Sequence, residues 1–186
     1  MRRIFALACS LSLAALSAQA GERLLVPELS GWKTLNSAFD RSAEISELIP
    51  GLEDSETWTR RLSVHAFRGS PMSAAEFLAG IEPRSDEVCD SILAEPVRPE
   101  RLGEAPAGRR VVSCGRYKGD GKGSYTLYFA IRGREALYVV ARSWRGGPFR
   151  PGQAPVAPTE LADWNAHLDG VRLCDTGDPA RPCPKP

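Results

Sequence analysis

From Arg110 onward, apolar and polar positions alternate in three runs: Arg110 to Tyr117, Ser124 to Arg132 and Glu135 to Trp144. A two-residue period sends successive side chains to opposite faces of a strand, so the pattern predicts an antiparallel meander over residues 109–145. Gly119 to Gly123 turns its first corner. Gly133-Arg134 turns the second, because glycine at the first loop position suits a type II′ turn. That turn sets Arg132 opposite Glu135, Phe129 opposite Tyr138, Leu127 opposite Val140 and Tyr125 opposite Arg142. One face then carries Tyr125, Leu127, Phe129 and Ile131 with Tyr138, Val140, Arg142 and Trp144. The other carries Thr126, Tyr128 and Ala130 with Leu137, Val139 and Ala141. Both faces are largely apolar, which predicts a central hairpin covered on both sides, with Arg142 at the rim of the core near Trp144.

Upstream, Glu22 to Leu29 reads as a lead-in, and Trp32 to Phe39 with Ile45 to Ile49 as a strand pair closed by Pro50-Gly51. A short helix is expected from Ser55, and a strand over Leu62 to Phe67 that ends at Gly69. Ala74, Phe77, Leu78 and Ile81 recur at helical spacing. Ser70 before Pro71 caps that helix, or the Ser73-x-x-Glu76 box does so one turn later. Pro83 interrupts it, and a second segment carries Val88 and Cys89. Pro96 to Gly108, rich in breakers and charge, reads as a loop or edge segment. Gly146 to Pro158 reads as a crossing loop. Thr159 is expected to cap a last helix with the stripe Leu161, Trp164, Leu168 and Val171. The elements add up to an α+β class: an antiparallel sheet with flanking helices.

The first twenty residues change the picture of where this domain works. Arg2 and Arg3 precede an apolar run from Ile4 to Leu16, and Ala18-Gln19-Ala20 is a small-x-small cleavage site. The run is shorter than the roughly 20 residues a stable span needs, so no membrane anchor is expected after cleavage. Ala6-Leu7-Ala8-Cys9 loosely matches a lipobox, but most of the apolar run follows Cys9, which disfavours lipidation. Residues 1–20 thus read as a signal peptide, 21–173 as a single α+β domain, and 174–186 as a Pro-rich tail. The expected address is the periplasm of a Gram-negative bacterium. There, four remaining cysteines (Cys89, Cys114, Cys174 and Cys183) favour two disulfides. Three connectivities exist; Cys89 with Cys114 and Cys174 with Cys183 closes the shortest loops and pins the tail. No Cys-x-x-Cys spacing supports zinc, and no metal site or cofactor is expected.

Charge is uneven along the chain. Residues 109–150 hold ten Lys or Arg against two acids, whereas residues 40–104 hold fourteen acids and seven bases. Loss of Arg2 and Arg3 leaves 22 bases against 23 acids, a net −1, which argues against nucleic acid as partner. Arg142, Trp144, Arg145 and Arg150 combine fork donors with aromatic surface. That mixture suits an acidic protein surface or an anionic ligand. The competing account is that these cations pair with the acids of residues 44–104.

Catalytic constellations are sparse. Gly119 to Gly123 lacks a phosphate-loop pattern and opens no helix, so it reads as a hairpin turn. His65 and His167 each stand alone. Ser30-Gly31-Trp32-Lys33 matches Ser-x-x-Lys only formally, since that spacing needs a helix to put both groups on one face. No Gly-x-Ser-x-Gly elbow occurs.

Three stretches carry a resemblance: Glu44 to Gly51, Glu56-Thr57-Trp58-Thr59 and Val64 to Gly69. With the later runs Ala130 to Val140 and Arg142 to Arg145, they are similar to a group of small exported bacterial proteins of unknown function. The resemblance covers residues 44–173 and implies an antiparallel sheet with flanking helices, similar to the PsbP-like α/β/α sandwich. It brings no catalytic residues. It places Cys89 and Cys114 as a helix-to-strand bridge and makes the C-terminal pair a local addition. The combined expectation is a non-catalytic interaction module using the cationic sheet rim and the 146–158 loop. A periplasmic immunity protein against a toxin is one version of it. The rival is a periplasmic hydrolase whose site is assembled from scattered residues.

Overall fold

The computed structural model describes residues 21–184; the expected leader and Cys9 lie outside them. Ten strands and three helices follow one another along the described chain. Strands β2 (Trp32–Phe39), β3 (Ala43–Pro50), β4 (Arg60–Arg68), β9 (Ala136–Gly146), β8 (Gly123–Arg132), β7 (Ala105–Tyr117) and β5 (Cys89–Ala94) lie in that order in one antiparallel sheet. Strand β6 (Arg98–Leu102) pairs with the first half of β7, and β5 pairs with its second half. A separate ribbon joins β1 (Glu22–Leu25) to β10 (Arg172–Asp175). The fold is α+β, as the alternation implied.

The hairpin of β8 and β9 is central and covered on both faces. Tyr125, Leu127, Phe129, Ile131, Tyr138 and Val140 pack beneath α3 (Pro158–Asp169), where Trp164 and Leu168 are almost fully buried. Ala130, Leu137 and Val139 pack beneath α1 (Ala74–Ala79) and α2 (Ile81–Asp86), through Leu78 and Ile81. Burying each large side chain contributes about 1.5–3 kcal/mol, so the two clusters dominate the stability of the sandwich.

The register differs from the expected one. Phe129 faces Val140, Leu127 faces Arg142 and Tyr125 faces Trp144. The two loop residues are Arg134 and Glu135, closed by Gly133 N–H to Ala136 O at 3.0 Å, and Gly133 has no positive φ. The cause is tertiary. The Glu22 carboxylate of β1 accepts the amides of Arg134 (3.1 Å) and Glu135 (3.4 Å). A Cβ on Gly133 would lie 2.0 Å from a Glu22 oxygen, so glycine is needed there for close approach rather than for a left-handed turn. The same-face sets survive, because the slip moves partners by an even number of residues. Arg142, however, moves from the rim into the core.

Other local expectations also change. No helix follows Ser55; Asp54 takes the amides of Glu56 and Thr57 and makes a turn. The Ser73–Glu76 capping box, not Ser70, starts α1. Gly80 ends it, while Pro83 sits in the first turn of α2, where its missing N–H costs nothing. Pro158 at N1 starts α3 after Ala157, and Thr159 is not the cap. Within 96–108, the edge reading holds as β6, with Gly103 at φ +60° in its turn. Both disulfides are those that close the shortest loops. Cys89 opens β5 rather than ending a helix, so its bridge to Cys114 joins strand to strand.

Candidate functional site

The cations of the meander are mostly absorbed within the molecule. Arg110 is anchored to Glu82 (2.5 Å), Leu78 O (2.9 Å) and Glu95 O (2.7 Å). Arg109 meets Asp169 (2.6 Å), Glu100 (3.1 Å) and the face of Phe129 (4.7 Å). Arg116 pairs loosely with Asp90, and Arg134 with Asp175. Lys118 and Lys122 donate to backbone carbonyls.

The four residues singled out for binding are not gathered into one patch. Arg142 is 7% exposed and lies under α3 between the rings of Trp32 (5.2 Å) and Trp164 (5.6 Å). Burial, ahead of all nearby charges, lowers its pKa to about 10. Trp144 is half-buried on the same face, edge-on to Phe149 at 5.6 Å. Arg145 projects from the opposite face, stacks on Trp58 at 4.1 Å and donates to Glu56 O at 2.6 Å. Arg150 is exposed in the crossing loop, and its side chain has no partner among the described residues.

A cleft of about 1010 Å³ opens on the α3 face, beyond the helix, between β1 and the tip of the β2–β3 hairpin. Its floor is Ser46, Val64, Ala66 and Tyr138. Gly21 to Leu25 form one wall; Phe39, Asp40 and Arg41 form the other, with Phe39 86% exposed. Thr176 N–H bonds to Gly21 O. In an antiparallel ladder bonded residues alternate, so Arg23 and Leu25 face β10 while the peptide groups of Glu22 and Leu24 point the other way, toward the cleft. Tyr138 OH donates to Glu22 O at 3.2 Å, and burial, reinforced by Glu22, pushes the Tyr138 phenol pKa up. Leu24 makes no backbone hydrogen bond outside the β1–β10 ribbon among the described residues. Three of the four acids here are engaged: Glu22 by turn amides and Arg181, Glu44 by Arg68, and Asp40 by the amides of Ser42 and Ala43; exposed Glu135 has no ion pair among the described residues. Arg23 and Arg41 have no ion pair among the described residues. The sequence signals for this cleft were faint: a four-residue strand read as a lead-in, and a polar hairpin tip beside Phe39.

The remaining catalytic candidates stay apart. His65 faces the α1 side, edge-on to Phe67 at 5.8 Å; His167 lies on α3, on the other side of the sheet, with Nε2 at 2.9 Å from Pro27 O. Burial lowers the pKa of both. Ser30 and Lys33 flank a turn at Gly31 (φ +78°) and the start of β2, not a helix. Gly119 to Gly123 closes the β7–β8 hairpin. No described helix is long and apolar enough to cross a membrane.

No family model matches the chain, and no curated protein matches it. Among solved structures, it is similar to LpqN of Mycobacterium tuberculosis, described as involved in cell envelope biogenesis. That likeness has a TM-score of 0.47 and 11% identity, over 85% of this chain and 87% of that one. It is also similar to the T6SS immunity protein TplEi of Pseudomonas aeruginosa. The apo form gives a TM-score of 0.45 and 14% identity over 72% of this chain and 46% of that one. The form complexed with "L" peptide gives 0.44 and 15% over 82% and 58%.

Proposed function

We propose that the protein is an exported, non-catalytic interaction module that holds an extended segment of a partner polypeptide in the cleft between β1 and the β2–β3 hairpin. The observation that carries this reading is the outer edge of β1, which turns the peptide groups of Leu24 toward a cleft of about 1010 Å³, while Tyr138 OH already occupies the Glu22 carbonyl. An added strand would satisfy those groups, and side-chain contacts on the apolar floor would select the segment. Arg23 and Arg41, unpaired at its walls, favour a segment with acidic residues. Exposed Arg150, next in the chain to Phe149, offers a smaller second contact for the same acidic partner. Export to the periplasm fits two disulfides and a first strand that starts two residues after the expected cleavage at Ala20.

Ser46→Trp or Ala66→Trp would fill the floor, whereas Val88→Ser changes an exposed position away from the cleft. Capture of a discrete periplasmic partner should be lost in both floor variants and kept in Val88→Ser, with unchanged melting. Equal capture by all three would remove the cleft from the account. Turnover of ester, glycoside or peptide substrates by the purified oxidised protein would favour the hydrolase instead.

A further inference from the structure

Three arginines of the large sheet, Arg109, Arg110 and Arg142, are each 7% exposed, and they are treated differently. Arg109 and Arg110 end on carboxylates and carbonyls. Arg142 ends on none: no hydrogen bond or ion pair of its guanidinium occurs among the described residues, and its Nε is fully enclosed without a partner. Its neighbours on the sheet are Leu62 and Leu127, and the indoles of Trp32 and Trp164 lie on its flanks. Those rings offer π faces but no acceptor for the N–H fork. On α3, one turn from Trp164, His167 Nδ1 is likewise enclosed and unpartnered, while Nε2 is held by Pro27 O. Glu160 belongs to Arg60, and exposed Asp163 is not within ion-pair distance of Arg142. An enclosed guanidinium N–H without an acceptor is costly to keep, so the geometry at Nε calls for one.

We propose that Arg142, clamped by Trp32 and Trp164 with His167 beside it, is the anchor of a binding site for a small carboxylate. The planar fork matches the two oxygens of a carboxylate, and the indoles shield that pair from water. The site is separate from the cleft, which Arg142 does not line.

The test titrates the whole oxidised protein with sodium acetate, replacing sodium chloride at constant ionic strength, and follows the side-chain N–H signals by NMR. The Arg142 Nε–H and the Trp32 and Trp164 indole signals should move saturably, while those of Trp58 and Trp144 stay in place. Arg142→Met should abolish the response. It should also melt at or above the wild-type temperature, because an apolar chain of similar length replaces an unpaired buried charge. The proposal fails if those wild-type signals show no saturable shift up to about 100 mM acetate, a limit far weaker than a millimolar site. It also fails if Arg142→Met keeps the response. Should that variant not fold, the wild-type titration of the Arg142 signal decides alone.

Discussion

Burial lowers the pKa of His65 and of His167 below the ordinary 6.5. For a base, a lower folded pKa means that the unfolded chain binds more protons in the window between the two values. Stability contributed by the neutral rings is therefore complete above about pH 6.5 and is lost as pH falls through that window. The melting temperature should be level from about pH 8 to 7 and decline from about 6.5 toward 5. A His65→Gln/His167→Gln double variant should show a flatter decline over the same range; an unchanged slope would place the titration elsewhere. The turn carboxylates Asp40, Asp54 and Glu76, held low by hydrogen bonds to their acid forms' conjugate bases, act in a more acidic window, below 3.8 to 4.5. Sequence identified both histidines as lone residues. It had no means of saying that each would be enclosed, because the helix and strands that enclose them come from distant parts of the chain.

At the scale of elements, the β8–β9 hairpin shows how far alternation reaches. The division of residues between its faces was legible, since it depends only on the two-residue period of each strand. The pairing was not, because Glu22, more than a hundred residues away, holds the amides of Arg134 and Glu135. Gly133→Ala should therefore destabilise the protein by about 2 kcal/mol, the scale of a forced contact in a packed site. Denaturant unfolding measures it directly. In a Glu22→Ala background the added penalty of Gly133→Ala should shrink, because the carboxylate it strikes is gone. A penalty that stays the same would mean the turn itself, not the approach of Glu22, requires glycine. The α1 start followed the same logic in reverse. Ser73 and Glu76 were readable as a capping box because both partners lie within one turn.

At the scale of the molecule, the two disulfides constrain different parts. Cys89–Cys114 ties β5 to β7 over a separation of 25 residues, and Cys174–Cys183 closes one of 9 beside the β1–β10 ribbon. Loop-closure entropy in the unfolded chain gives about 3.5 kcal/mol for the first and about 2.5 kcal/mol for the second. Paired Cys→Ser replacements should lower unfolding free energy in that order. Hydrogen exchange should then quicken across the ribbon only when the C-terminal bridge is removed, and a uniform response would count against this division. The charge asymmetry is also resolved at this scale. Arg110 with Glu82, Arg109 with Glu100 and Arg116 with Asp90 join the basic meander to the acidic upstream segment. A stretch that looked like an outward patch thus serves largely as an internal seam.

Composition and periodicity alone determined the α+β class, the central hairpin with its two apolar faces, the Leu161, Trp164 and Leu168 stripe of the last helix (Val171 lies beyond its end at Asp169) and the short-loop cysteine pairing. Each of these rests on local spacing or on counts along the chain. Tertiary structure alone decided the hairpin register, the burial of Arg142 between two indoles and the cleft whose wall is β1. Those features require segments far apart in sequence to meet, and a hydrophobic pattern records which way a side chain faces but not what comes to cover it.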